Sequence, residues 1–110
     1  MSDVNGVNSV AVEALVDTGA TYSVIPAGAL RELGIAPTRT ITFELADQSE
    51  VSYGVGNAMF TAMGVSGVAP VAFGDDDAEP IMGAVTLEAL MLMVDPIAQE
   101  LVPRLRARLY

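Results

Sequence analysis

The chain has 110 residues, 14 acids against 5 bases for a formal net charge of −9, and no His, Cys, Trp or Lys. Without His there is no Ser-His-Asp or Cys-His constellation and no HExxH zinc site, without Cys no thiolate nucleophile, and without Lys no Schiff base or P-loop lysine. Catalysis by side chains therefore falls to carboxylates, helped by hydroxyls, arginines and backbone amides.

The length supports one domain, residues 1–110 with a core of about 10–103. An apolar content of 52 % is high for so small a body, and self-association is the simplest way to hide the surplus. The longest apolar-rich stretch, Ile81 to Val94, contains Glu88 and is too short to span a bilayer. No basic segment followed by an apolar one opens the chain, so no membrane association or export is expected and a cytoplasmic location is read. Nucleic acid is not an expected partner, because phosphate binding needs a basic face. Arg104, Arg106 and Arg108 alternate in a basic tail, whereas residues 1–103 carry a net −12. That tail reads first as a frayed, solvated end, with pairing across an interface as the alternative.

Short alternating or apolar segments between turn signals predict an all-β domain. Asn5-Gly6 is a two-residue hairpin signal before a strand from Val10 to Val16, whose Val10, Val12, Ala14 and Val16 share a face. Tyr22 to Ile25 reads as a second strand stopped by Pro26, and Ala27 to Leu33 as a short helix or turn ended by Gly34. From Arg39 to Ala46, Ile41, Phe43 and Leu45 alternate with Thr40, Thr42 and Glu44; the chain turns at Asp47-Gln48-Ser49 and returns through Val51, Tyr53 and Val55. Strands follow at Ala58 to Met63 and Val68 to Phe73, separated by Gly64-Val65-Ser66-Gly67. After the acidic turn Gly74-Asp75-Asp76-Asp77 come Ile81-Met82-Gly83 and a helix from about Ala84 to Leu90, apolar enough to lie buried under the sheet. A turn at Asp95-Pro96 precedes a last strand, Glu100 to Pro103, and Met59, Met63, Met82, Met91 and Met93 read as core or interface filler.

The segment Ala14-Leu15-Val16-Asp17-Thr18-Gly19-Ala20-Thr21 places an ionisable side chain directly after an apolar strand, in a loop whose Gly permits a sharp turn. Asp, Thr and Gly are also ordinary turn residues, so the tripeptide by itself supports a plain turn as readily as a site.

The segment resembles the active-site motif of retropepsin-like aspartic proteases, apolar-apolar-Asp-Thr-Gly-Ala. Three further elements stand in the order of that family: Ser23-Val24-Ile25-Pro26 after the loop, the hairpin around Asp47 to Ser49 at the place of the flap, and Ile81-Met82-Gly83 followed by a helix. The stretch from GDDDAEPIMG through LEALMLMVDP is similar to bacterial members. The resemblance covers about residues 10–103 and implies an all-β half-barrel with one short C-terminal helix, active as a homodimer. It implies an endopeptidase that hydrolyses peptide bonds between apolar residues. Such chemistry needs two carboxylates, one to activate a water and one to protonate the peptide carbonyl. One Asp-Thr-Gly per chain then calls for Asp17 from each of two subunits, and the pair shares a proton over some pH range, an expectation taken over from aspartic proteases at large.

The resemblance also implies roles for the neighbours. Thr18 would hydrogen-bond across to the partner's loop, and Gly19 would bring backbone close to the carboxylates. Ala20 and Thr21 would border substrate, Ile81 would line an apolar pocket beside the scissile bond, and Asp47, Gln48 and Ser49 would form the tip of a closing flap. Many retroviral members have Asp where Thr21 stands and Arg where Ala84 stands; this chain lacks that ion pair, and its flap tip lacks their glycines. Neither a cofactor nor a metal is expected, since Asp75, Asp76, Asp77 and Glu79 lack the spacing of an EF-hand loop. A non-catalytic dimerisation or peptide-binding module of the same fold is the alternative reading.

Overall fold

The computed structural model describes residues 1–104. Ten elements follow one another: β1 (Leu15–Val16), β2 (Ser23–Pro26), α1 (Ala27–Glu32), β3 (Arg39–Glu44), β4 (Glu50–Ala62), β5 (Val65–Gly74), β6 (Ile81–Met82), α2 (Ala84–Ala89), β7 (Leu92–Asp95) and β8 (Glu100–Pro103). Six strands form one sheet in the order β1-β6-β2-β5-β4-β3, and β7 pairs with β8 in a separate antiparallel hairpin. The pairs β1–β6 and β2–β5 run parallel; β2–β6, β3–β4 and β4–β5 run antiparallel. The fold is thus mostly β, as the alternation predicts.

Burial follows that alternation. Ile25, Val55, Ala58, Phe60, Ala69, Val71 and Phe73 are buried, joined by Leu30, Leu33 and Ile35 from α1 and its exit and by Leu87, Leu90 and Leu92 from α2 and its exit. The segment read as a short helix or turn is the helix α1, so two short helices are present. The helix α1 ends in a Schellman motif: Gly34, at φ +78°, donates to the Arg31 carbonyl at 2.9 Å and Ile35 to that of Leu30 at 3.0 Å, with both Leu30 and Ile35 buried. The helix α2 buries Thr86 and Leu87 and leaves Glu88 and Ala89 exposed, so its apolar composition overstated its burial.

Four local expectations are corrected. Asn5-Gly6 lies inside a longer loop, residues 4–7, closed by Asp3 and Asn8, because Asp3 pairs with Asn8 through backbone and side chain. Only Leu15–Val16 of the strand expected from Val10 to Val16 joins a ladder. Val12 packs against the core all the same, so the alternation ahead of β1 reports packing without pairing. The two strands expected between Val51 and Met63 are one 13-residue strand, β4, running through Gly54, Gly56 and Asn57. Pairing with β3 along its first half and β5 along its second outweighs the weak strand propensity of glycine, and at Gly56 a Cβ would stand 2.7 Å from the Ala36 carbonyl oxygen. The loop expected at Gly64 to Gly67 is a tight turn at Met63-Gly64, both at positive φ (50° and 77°), so Met63 is 60 % exposed at a hairpin tip and fills no core.

Among the described residues no helix is long and apolar enough to cross a membrane. The backbone N–H of Arg104 donates to the Met91 carbonyl at 2.7 Å, closing the β7–β8 hairpin at its base. Arg106 and Arg108 lie outside the described residues.

Candidate functional site

The strand β1 is only two residues long, and its position is set by β6. Leu15 donates to the Pro80 carbonyl at 2.9 Å and Asp17 to the Met82 carbonyl at 3.0 Å, which delivers Asp17 to the point where the ladder ends. There the chain turns on itself. The Asp17 carboxylate Oδ1 accepts the Gly19 N–H at 2.9 Å, and the Asp17 carbonyl accepts the Ala20 N–H at 3.1 Å. A Cβ on Gly19 would lie 3.2 Å from that Oδ1, tighter than most side chains tolerate. The Asp-Thr-Gly tripeptide is therefore a turn and a carboxylate mount at once.

The second half of the loop is stapled to α2. An α-helix leaves its first N–H groups without internal partners, and α2 has no side-chain cap. Its Ala84 and Val85 N–H groups instead donate to the carbonyls of Ala20 and Thr21, at 2.8 and 3.0 Å. Gly83 makes the junction possible: a Cβ there would sit 2.6 Å from the Tyr22 backbone carbon and oxygen and 2.9 Å from the Ala20 oxygen. The Gly83 N–H donates to Ser23 Oγ at 3.0 Å, and that hydroxyl lies 2.6 Å from Thr86 Oγ1. Ser23 and Thr86 are both fully buried, so the pair fastens β2, β6 and α2 behind the loop.

Register sorts the side chains around Asp17. Leu15 pairs with Ile81, and Ile81 with Val24, so these three lie side by side on one face across β1, β6 and β2. Asp17, two residues after Leu15, shares that face. Val16, Met82, Ser23 and Ile25 take the other face, toward the core. Leu15 is 54 % exposed, and Ile81 and Val24 are half-buried, so an apolar strip remains open beside the carboxylate. By the same alternation Tyr22 lies on the face of Val24.

Asp17, Thr18, Gly19, Ala20 and Thr21 are thus brought together in one loop with Ile81 beside it. Thr18 and Thr21 are exposed, and Ala20 is half-buried. Asp47, Gln48 and Ser49 lie at the tip of the β3–β4 hairpin at the other edge of the sheet. Their described hydrogen bonds stay within the tip: Leu45 N–H to the Ser49 carbonyl at 2.8 Å, Gln48 N–H to the Leu45 carbonyl at 2.9 Å, and Ser49 N–H to Asp47 Oδ1 at 3.0 Å. The Ser49 hydroxyl and N–H on Asp47 hold its carboxyl below the ordinary value of 3.8. Gln48 adopts φ 68°, so the tip turns tightly without a glycine.

Sequence reasoning passed over Leu15, Tyr22, Ser23, Val24 and Thr86. The two-residue spacing of Leu15 from Asp17 and of Tyr22 from Val24 carried a signal for the shared face. The Ser23–Thr86 pair, 63 residues apart in sequence, carried none. Among the described residues no group of three or more acidic side chains is placed to hold a metal ion. Asp76 Oδ1 instead accepts the Gly28 N–H at 3.3 Å, tying the acidic turn to α1.

No curated protein and no solved structure matches the chain. The family described as "gag-polyprotein putative aspartyl protease" matches residues 4–95, a span that runs from the first hairpin through the Asp17 loop, the β3–β4 hairpin and α2 into β7. With that match over most of its length, on a mostly β fold whose Asp-Thr-Gly loop is mounted on an Ile81-Met82-Gly83 strand and helix, the chain belongs to the retropepsin-like aspartyl proteases of that family.

Proposed function

We propose that the protein is a homodimeric aspartic endopeptidase in which two copies of Asp17 hold and activate one water between them. The observation that carries this reading is the mounting of Asp17: a carboxylate fixed at the end of the β1–β6 ladder, oriented by the Gly19 N–H and flanked by the open apolar strip of Leu15, Ile81 and Val24. One ionised Asp17 takes a proton from the water as its oxygen attacks the peptide carbonyl carbon, while the protonated Asp17 of the partner subunit donates to the carbonyl oxygen. Collapse of the tetrahedral intermediate breaks the C–N bond: the protonated carboxyl gives its proton to the leaving nitrogen while the ionised one takes a hydroxyl proton from the diol, which leaves a carboxylic acid, an amine and the pair with its single proton restored. Thr18 and Gly19 position the pair, Ala20 and Thr21 border the substrate backbone, and Ile81 receives an apolar side chain. Asp47, Gln48 and Ser49 form the flap tip that shuts water out.

Two facts support the dimer. Each chain has a single Asp-Thr-Gly, and Leu15, Met91, Met93 and Ile97 are exposed on a small, strongly apolar protein. Incubation with a peptide library from about pH 4 to 7, beside Asp17→Asn, tests the reading. Cleavage is expected between apolar residues and is expected to vanish in the variant; cleavage that survives in Asp17→Asn overturns the assignment. Absence of cleavage in a verified dimer would instead favour a peptide-binding module.

A further inference from the structure

Tyr22 is the first residue beyond the Asp17 loop, and its ring meets Phe43 edge-on, with centroids 5.8 Å apart and planes at 86°. Phe43 lies in turn against Tyr53, 5.9 Å away at 55°. Three of the six phenylalanines and tyrosines of the chain make this relay, and all three are half-buried. Tyr22 adjoins β2 and Phe43 belongs to β3, yet β5 and β4 stand between those strands in the sheet. Their rings meet only because the sheet curls over, so the Tyr22–Phe43 contact closes the curl. Beyond it, residues 44–50 are exposed, and the tip's hydrogen bonds are its own.

We propose that Tyr22 is the docking point of the flap, a positioning residue that holds the inner face of the β3–β4 hairpin down over the Asp17 loop through its edge-to-face contact with Phe43. The proposal rests on the protease reading, in which this hairpin is the flap. A flap in equilibrium between docked and lifted states gains from the contact only when docked. An edge-to-face pair of this geometry shifts such an equilibrium by about two- to tenfold. Substrate affinity should follow the docked population, while the chemistry at Asp17, which Tyr22 does not touch, should not.

The test is 15N relaxation dispersion at the amides of residues 44–50, together with KM and kcat on a peptide cleaved by the wild type, for Tyr22→Ala, Phe43→Ala and Tyr22→Phe. The ratio of lifted to docked flap is expected to rise about two- to tenfold in the two alanine variants, with KM rising by the factor by which the docked fraction falls and kcat held within about twofold, and Tyr22→Phe is expected to match the wild type. Tyr22→Leu keeps apolar bulk without a ring and should behave as Tyr22→Ala; unchanged amide shifts from Asn57 to Ala69, in the β4–β5 hairpin away from the contact, establish that each variant is folded. Flap exchange in folded Tyr22→Ala equal to that of the wild type, or Tyr22→Phe as damaging as Tyr22→Ala, overturns the proposal. Flap exchange that follows the rings in a protein that cleaves no peptide retains the docking contact and removes the protease reading.

Discussion

Removing one buried hydroxyl should loosen the site more than its size suggests. Ser23 Oγ accepts the N–H of Gly83 and shares a proton with Thr86 Oγ1, and all three residues are buried. In Ser23→Ala the Gly83 N–H has no partner and no water, a penalty of about 1–3 kcal/mol, while the Thr86 hydroxyl can turn to a carbonyl of the preceding helical turn at smaller cost. A net loss of about 2–3 kcal/mol corresponds to a fall in Tm of roughly 10–20 °C for a chain of this size. Thr86→Val keeps the shape and leaves Gly83 its acceptor, so it should cost only about 1 kcal/mol. Thermal unfolding of both variants at one fixed protein concentration measures the pair, since any coupling to self-association would make Tm concentration-dependent. The site supplies a second readout. Met82, which precedes Gly83, accepts the Asp17 N–H at 3.0 Å, so hydrogen exchange at the Asp17 amide should quicken in Ser23→Ala. A loss below about 0.5 kcal/mol, or Thr86→Val costing more than Ser23→Ala, would refute the reasoning, because Gly83 would then not depend on Ser23.

Two further outcomes follow from local chemistry. The Asp47 carboxylate is held below its ordinary value of 3.8 by Ser49, so its tip hydrogen bonds persist above that value and are lost as pH falls through the lowered one. Amide order at the β3–β4 hairpin tip measured down an acid titration should therefore hold at pH 4 and fall only below it, and Asp47→Asn should weaken the pH dependence; an unchanged titration in the variant would contradict the assignment. Met63 sits at φ 50° in the β4–β5 turn with its side chain 60 % exposed, and asparagine suits that position better. Met63→Asn should raise stability by about 0.5–1 kcal/mol in urea unfolding, and destabilisation would contradict the reading that backbone strain at φ 50° outweighs the packing of the methionine.

The sequence carried the strands best where burial imposed the pattern. Ile41 and Phe43 in β3, and Val71 and Phe73 in β5, show the alternation that the sheet then uses. It carried them worst where pairing overrode local preference, as in β4, whose glycines read as a break until partners on both sides are seen. The Asp17 loop was legible because turn chemistry and carboxylate chemistry use the same three residues. The groups that secure it were not: the Ala20 and Thr21 carbonyls that cap α2, and the Ser23–Thr86 pair, are made by residues about 60 apart in sequence that carry no shared periodicity. Tyr22 was hidden for a related reason, since the curl that brings β3 over it is a property of the whole sheet.

Subunit mixing tests most directly the claim that each site is completed by two copies of Asp17. Wild-type protein and Asp17→Asn are exchanged to equilibrium at constant total concentration, and peptide cleavage is followed against composition. If both carboxylates are required, only wild-type dimers act, and an equal mixture retains about one quarter of the wild-type rate. About three quarters remaining would mean that one Asp17 of the shared site suffices, and a linear decline through about one half would mean that each subunit acts alone; either result would contradict the account.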